Sequence, residues 1–113
     1  MNFDLSDEHK MLKDMAYKFA VNEIVPISFD CDKEEKYTPD IRKKAAQQGL
    51  VAAWVPEAYG GAGVGIMGNA IITEELSRVD MGIGLNIVAA SFGCEAIFYF
   101  GSGAKKEISA TRL

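Results

Sequence analysis

The sequence predicts an all-α fold, an orthogonal helical bundle of about five helices with one Gly-rich loop, contained in a single domain over residues 1–113. Three observations predict it. Apolar residues recur at the helical period through residues 11–24 and again through 66–79. Thr38-Pro39 and Gly49 bracket a third segment with a start and a stop signal. The third is residues 81–100, MGIGLNIVAASFGCEAIFYF, which carry one charge, Glu95, and at about 1.5 Å per residue make more than four helical turns.

Taken in order, residues 2–5 are a short lead-in, with Phe3 and Leu5 free to fold back on a core. Ser6 is placed to cap a helix, and Asp7 and Glu8 suit the positive end of its dipole. Met11, Leu12, Met15, Ala16, Phe19, Ala20 and Ile24 then mark one apolar face. Pro26 ends or bends that helix, because it has no N–H to donate and its ring crowds the preceding turn. A second, shorter helix is expected over 26–35, with Ile27 and Cys31 facing inward. The third begins with Thr38 as cap and Pro39 as first helical residue, and ends at Gly49.

Residues 50–55, LVAAWV, suit either a buried strand or one helical turn, and periodicity does not choose between them. PEAYGGAGVG, residues 56–65, is the glycine-rich loop, where positive φ or a close backbone approach is expected. The helical period returns at Ile66, with Ala70 or Ile71, Ile72, Leu76 and Val79 inward, and Asp80 breaks it. The apolar residues of 81–100 circle the helix, the pattern of a central helix buried on most sides. A bilayer span is the rival, but it needs about 18–20 unbroken apolar residues. Here the uncharged run stops at Cys94, with no flanking Lys/Arg cluster, so no membrane span is expected. Gly101-Ser102-Gly103 closes this helix, and another is expected to start at Lys105.

Composition narrows the function classes. A net charge of −4 with no basic stripe argues against a nucleic-acid partner. Cys31 and Cys94 are far apart without a CxxC spacing, which suits two reduced thiols. The polar, acidic opening residues do not read as a secretory signal. His9 is the lone histidine, so neither a Ser-His-Asp set nor a histidine-rich metal site can be assembled. Gly63-x-Gly65-x-x-Gly68 matches the dinucleotide fingerprint literally, but the match needs a strand immediately before it. Glu74 and Glu75 lie about 100° apart on a helix, which suits one solvated carboxylate and one paired or capping carboxylate. Glu95 is expected to mark the side of its helix that reaches solvent or a polar interface. Small residues beside Leu85, Val88 and Phe92, which recur at i, i+3 and i+7, suit either ordinary helix packing or a narrow apolar slot next to Gly84.

Several stretches together carry a resemblance. FDLSDEHKMLKDMAYKFAVNEIVP, GLVAAWVPEAYGGAGVG, ITEELSRVD and FYFGSGAKKE follow in the order and spacing of one family. From Phe3 to Glu107 the chain resembles the N-terminal helical domain of an acyl-CoA dehydrogenase, most specifically in Pro56-Glu57-x-Tyr59-Gly60-Gly61-x-Gly63 followed by Glu74-Glu75-Leu76. The resemblance implies a larger three-domain enzyme: this helical domain, a middle β domain and a C-terminal helical bundle. It implies FAD as cofactor, an acyl-CoA thioester as substrate and an electron-transfer partner. In such enzymes a glutamate removes the α-proton and the β-hydrogen leaves as hydride to the flavin. The base and most flavin contacts lie beyond the first domain, so no catalytic residue is assigned here.

Carried over position by position, the resemblance makes Gly84, Leu85, Val88 and Phe92 candidates for lining the acyl pocket, with a short, branched or cyclic acyl group favoured. It implies a cytoplasmic or mitochondrial-matrix location. It also implies a homo-oligomer, or self-association through exposed apolar surface. The chain by itself is expected to bind no flavin tightly and to turn over no acyl-CoA. Family members continue into a Leu-Pro where this chain has ISATRL at 108–113, so the chain reads as truncated, with a divergent end, an appended tail or a frameshift product. The alternative from another class is a stand-alone helical binding or interaction module without catalytic activity.

Overall fold

A computed structural model describes residues 1–103; the helix expected from Lys105 and the ISATRL segment lie outside the described residues. The described chain is all-helical. Its α-helices are α1 (Asp7–Phe19), α2 (Val25–Lys33), α3 (Pro39–Gln47), α4 (Gly65–Val79), α5 (Met81–Val88) and α6 (Phe92–Phe100). Two joins are themselves helical, so these six form four longer stretches: a π-turn over Ala20–Ile24 links α1 to α2, and a 3₁₀ turn over Ala89–Ser91 links α5 to α6.

The start of α1 follows its sequence signals. The Ser6 hydroxyl oxygen accepts the His9 backbone N–H at 3.2 Å, and Asp7 and Glu8 occupy the first turn. Pro26 does not end the helix. The Val25 N–H reaches back five residues to the Ala20 carbonyl, and this wider turn carries the chain across the proline into α2. Ala16, Phe19, Ala20 and Ile24 enter the core, Leu12 and Met15 pack against it, and Met11 points outward at 73% exposure. Ile27 and Cys31 on α2 face the core as expected. At α3, Thr38 occupies the cap position without a side-chain cap bond; its hydroxyl lies 3.6 Å from the Cys31 thiol. Gly49, at φ +74°, stops the segment in the left-handed region.

LVAAWV is neither a strand nor a helix. Residues 51–54 turn through a left-handed Ala52 at φ +53° and bury Leu50, Ala52, Ala53, Trp54 and Val55. The glycine loop is laced back onto it. The Gly63 N–H donates to the Val55 carbonyl at 2.9 Å, and the Val64 N–H to the Ala53 carbonyl at 3.0 Å. A Cβ on Gly61 would sit 2.0 Å from the Val55 carbonyl oxygen, so a side chain is excluded there by the close approach of two backbones.

The main core lies where α1 and the π-turn meet α4 and α5. Phe19, Ile24, Leu50, Ile72, Leu76 and Ile87 are at most 2% exposed. Ile71 and Ile72 share the inward face of α4 with Leu76, whereas Ala70 is exposed. The stretch 81–100 departs from expectation in two ways. It is broken by the 3₁₀ turn, and 28% of its most apolar window is buried, so it is not enclosed on most sides. By length and composition alone it is apolar enough to cross a bilayer. Its large side chains face outward at Met81, Leu85, Phe92, Tyr99 and Phe100.

Candidate functional site

The site is built on the sharp turn from α4 to α5. Asp80 adopts an extended backbone (φ −153°, ψ 110°) between the two helices. One carboxylate oxygen accepts the Ile83 N–H at 3.0 Å and caps α5; the other accepts the Ser28 hydroxyl proton at 2.5 Å and ties the turn to α2. We expect Asp80→Ala to destabilise the chain by about 2 kcal/mol, since it removes an N-cap and a charge-assisted bond together. Urea unfolding followed by circular dichroism checks this, and Asp80→Asn, which keeps an acceptor for Ile83, should recover part of the loss.

Beyond this turn, Gly84 lets α5 settle onto the end of α4. A Cβ there would lie 3.0 Å from the Ser77 nitrogen and hydroxyl oxygen and 3.1 Å from the Leu76 carbonyl carbon. Ile83, Ile87 and Val88 fill the core below. Leu85 is 49% exposed and Phe92 57% exposed on the outer side. The face predicted from i, i+3, i+7 spacing is therefore divided, with Gly84 and Val88 inside and Leu85 and Phe92 outside. The reason is angular. Val88 is about 60° around the helix from Leu85, enough to cross the boundary of the core. Phe92 follows a 3₁₀ turn, which advances about 120° per residue instead of about 100°.

An aromatic group holds α6 in place. Phe98 meets Trp54 edge-on at 5.6 Å, Tyr59 at 6.3 Å and Tyr99 at 5.2 Å between ring centroids. Trp54 belongs to the turn after Leu50, and Tyr59 to the 3₁₀ turn Glu57–Tyr59 in the glycine loop. The outer apolar line is thus mounted at one end by the Asp80 turn and at the other by rings from the loop. Cys94 packs beside this second cluster, where burial pushes its thiol above the ordinary range and favours the protonated, less reactive form. Both cysteines are free thiols, and Glu95 is exposed.

The structure also fixes Glu74 and Glu75. Glu74 is exposed, whereas Glu75 is 1% exposed, with an oxygen 3.0 Å from Arg78 Nη2 and the other 3.7 Å from Lys13 Nζ. The expectation of one solvated and one paired carboxylate is met, with Glu74 solvated and Glu75 ion-paired, but the burial of Glu75 was not anticipated. The signal was present, because Glu75 falls at i+4 from Ile71 and i+3 from Ile72 on the inward face. The Trp54–Tyr59–Phe98 group was also missed, and its distant positions leave no local pattern.

The fingerprint glycines do not form a nucleotide cradle. No strand precedes them among the described residues. A Cβ on Gly63 would meet the Glu57 side chain at 3.2 Å, and one on Gly68 would meet the Val64 side chain at 2.5 Å and Leu12 at 3.1 Å. Gly65 has open space around it and Gly63 borders a cavity of about 500 Å³, but without a preceding strand the three glycines do not make the strand–turn–helix arrangement of the fingerprint. No group of three or more His, Cys, Asp or Glu among the described residues is arranged to hold a metal ion.

Comparison with known proteins identifies the scaffold. The family model for the acyl-CoA dehydrogenase N-terminal domain matches residues 6–112. A probable acyl-CoA dehydrogenase of Bacillus subtilis is 33% identical over 114 residues, covering 100% of this chain and 30% of the relative. A cyclohex-1-ene-1-carbonyl-CoA dehydrogenase of Syntrophus aciditrophicus is 34% identical over 104 residues, covering 92% of this chain and 25% of its own length. Among solved structures, butyryl-CoA dehydrogenase from Megasphaera elsdenii superposes with a TM-score of 0.85 at 25% identity, covering 98% of this chain and 32% of that one. A chain from a structural study of the electron transferring flavoprotein of Acidaminococcus fermentans gives 0.88 at 31% identity, covering 96% of this chain and 29% of that one. The chain therefore spans 25% to 30% of the length of these curated relatives.

Proposed function

The chain belongs to the acyl-CoA dehydrogenase N-terminal domain family, and from that premise we propose that it forms one wall of the acyl pocket in an enzyme oxidising an acyl-CoA thioester to the 2,3-enoyl-CoA. The observation that carries this reading is the outward pair Leu85 and Phe92, half-exposed on helices whose inner side is anchored by Gly84 and Val88. An apolar wall needs side chains free to meet a ligand on a backbone that cannot move, and the Asp80 turn and the Phe98 ring contacts supply that stiffness. In this reading Gly84 and Val88 set the height of the wall, and Leu85 and Phe92 touch the acyl group.

The division of labour follows from what the described residues offer. FAD is the cofactor this reading assigns to the longer enzyme, where it would accept the hydride. The fingerprint glycines lack the preceding strand of a dinucleotide site, and this reading assigns flavin and the α-proton base to the rest of such an enzyme, with an electron-transfer partner beyond that. The apolar stretch 81–100 is then a face for the substrate and adjoining domains, not a membrane span. In this reading the bulk of Leu85 and Phe92 on the wall favours a short, branched or cyclic acyl group, although each methylene discriminated is worth only about 1–3 kcal/mol.

The test is a titration of the isolated chain with butyryl-CoA, followed by NMR of methyl and aromatic side chains. Shifts at the Leu85 methyls and the Phe92 ring, weak in affinity and removed by Leu85→Arg, are expected. Shifts confined to another face would overturn the assignment. Equilibrium dialysis against FAD should give far less than one flavin per chain, and stoichiometric flavin would overturn the division of labour.

A further inference from the structure

The acyl-CoA reading leaves Glu75 unexplained. This carboxylate is 1% exposed, yet neither of its oxygens has a hydrogen-bond partner. Lys13, at 3.7 Å, is too far for a hydrogen bond, and Arg78, at 3.0 Å, makes an ion pair without hydrogen-bond geometry. A buried carboxylate left so is unfavourable, and a native chain pairs such groups. Glu75 also lines a cavity of about 340 Å³ between α1 and α4, with Lys10, Lys13, Asp14, Tyr17 and Arg78 as the other walls.

The charge in this cavity runs against that of the chain. The whole sequence is at −4. In the cavity, Lys10, Lys13 and Arg78 face Glu75 and Asp14, and Asp14 is already engaged by Lys18 at 2.8 Å. Three cations thus surround one carboxylate, two of them ion-paired with it, and its buried oxygens still lack a hydrogen-bond donor. The Arg78 guanidinium is held over the Tyr17 ring at 5.0 Å, which fixes its plane. A guest that suits this set must be an anion, to answer the cations, and must also carry a hydrogen-bond donor for Glu75.

We propose that the cavity binds a protonated tetrahedral oxyanion, with hydrogen phosphate as the guest. Its charged oxygens accept from Lys10, Lys13 and Arg78, and its one P–OH donates to Glu75. Sulfate has the same shape and charge but no O–H at neutral pH, so it would place a bare oxygen against the buried carboxylate and be rejected. This assignment is independent of the acyl wall, because Leu85 and Phe92 lie on α5 and α6 and line no part of this cavity.

The test is an NMR titration of the full chain with sodium phosphate and, separately, sodium sulfate at matched ionic strength. Saturable shifts at the amides of Lys10, Lys13 and Arg78 are expected with phosphate, and sulfate should bind at least about tenfold more weakly. Glu75→Gln offers an amide donor in place of the carboxylate and should bring the two anions to similar affinity. Lys10→Gln, at an exposed position, should weaken phosphate several-fold without altering the thermal melt. The absence of saturable phosphate shifts, or equal phosphate and sulfate affinity in the unaltered chain, would overturn the proposal even if Glu75→Gln fails to fold. A second titration with vesicles containing phosphatidic acid separates two sources of the same chemistry. Sedimentation of the chain with these vesicles, lost in Lys10→Gln, assigns the site to a lipid headgroup, and no sedimentation assigns it to soluble phosphate.

Discussion

Phe19→Ala should remove about 3–5 kcal/mol of folding stability, a large part of the roughly 5–15 kcal/mol available to a domain of this size. Phe19 is 2% exposed and sits at the last turn of α1, where the π-turn begins. Its neighbours in the main core include Ile24, Leu50, Ile72 and Leu76. The loss has two parts: the ring no longer leaves water on folding, and the surrounding side chains cannot close the space it vacated. Closure is especially hindered here because the π-turn and Pro26 fix the path of the backbone on one side. At about 4–8 °C per kcal/mol for a small domain, the midpoint should fall by more than 10 °C, and a thermal melt by circular dichroism measures it. Phe19→Leu keeps most of the volume and should cost less than about 1.5 kcal/mol. If the two variants melted together, the core would not be centred on α1 as the structure has it.

The same residues show how much was legible in the sequence. The helical faces of α1 and α4 could be read because each buries one stripe, so periodicity and burial coincide at Ala16, Phe19, Ile72 and Leu76. Local signals at Ser6, Pro39, Gly49 and Asp80 marked helix ends because each acts within a few residues, Ser6 and Asp80 by side-chain caps and Pro39 and Gly49 by backbone conformation. The stretch 81–100 was misjudged for a physical reason. Composition cannot distinguish an apolar residue buried in this chain from one kept for a ligand or another surface, and Leu85 and Val88 differ only in which side of that boundary they fall. Nothing in Ala89-Ala90-Ser91 announces a 3₁₀ turn, since all three residues suit an α-helix; the break comes with α6 docking onto Trp54 and Tyr59. Glu75 hid for the opposite reason. Its charge argues for exposure, since a carboxylate is buried only when paired, whereas its spacing from Ile71 and Ile72 places it on the inward stripe.

Gly61→Ala is expected to be the most damaging single methyl group in the glycine loop, at about 3 kcal/mol, the upper range for overpacking. The adjacent Gly60 makes the argument sharp, because the two glycines are required for different reasons. Gly60 has φ +87° and nothing within 4 Å of where its Cβ would stand, so alanine there meets only the left-handed backbone penalty of about 1–2 kcal/mol. Gly61 has no positive φ, yet its Cβ would lie 2.0 Å from the Val55 carbonyl oxygen and 2.6 Å from the Val55 carbonyl carbon. Both obstructing atoms are main chain, so no rotamer change relieves the contact, and the loop must lift off residues 53–55. Lifting would break the Gly63-to-Val55 and Val64-to-Ala53 hydrogen bonds and withdraw Tyr59 from Phe98. The consequence should therefore reach α6 and the mounting of Phe92. Gly61→Ala is expected to shift the Trp54 fluorescence toward that of an exposed indole and to lower the unfolding midpoint more than Gly60→Ala does. Equal midpoints for the two variants, with Trp54 emission unchanged, would mean that the loop can rise without disturbing the aromatic group, and the rigid support for the acyl wall would have to come from the Asp80 turn alone.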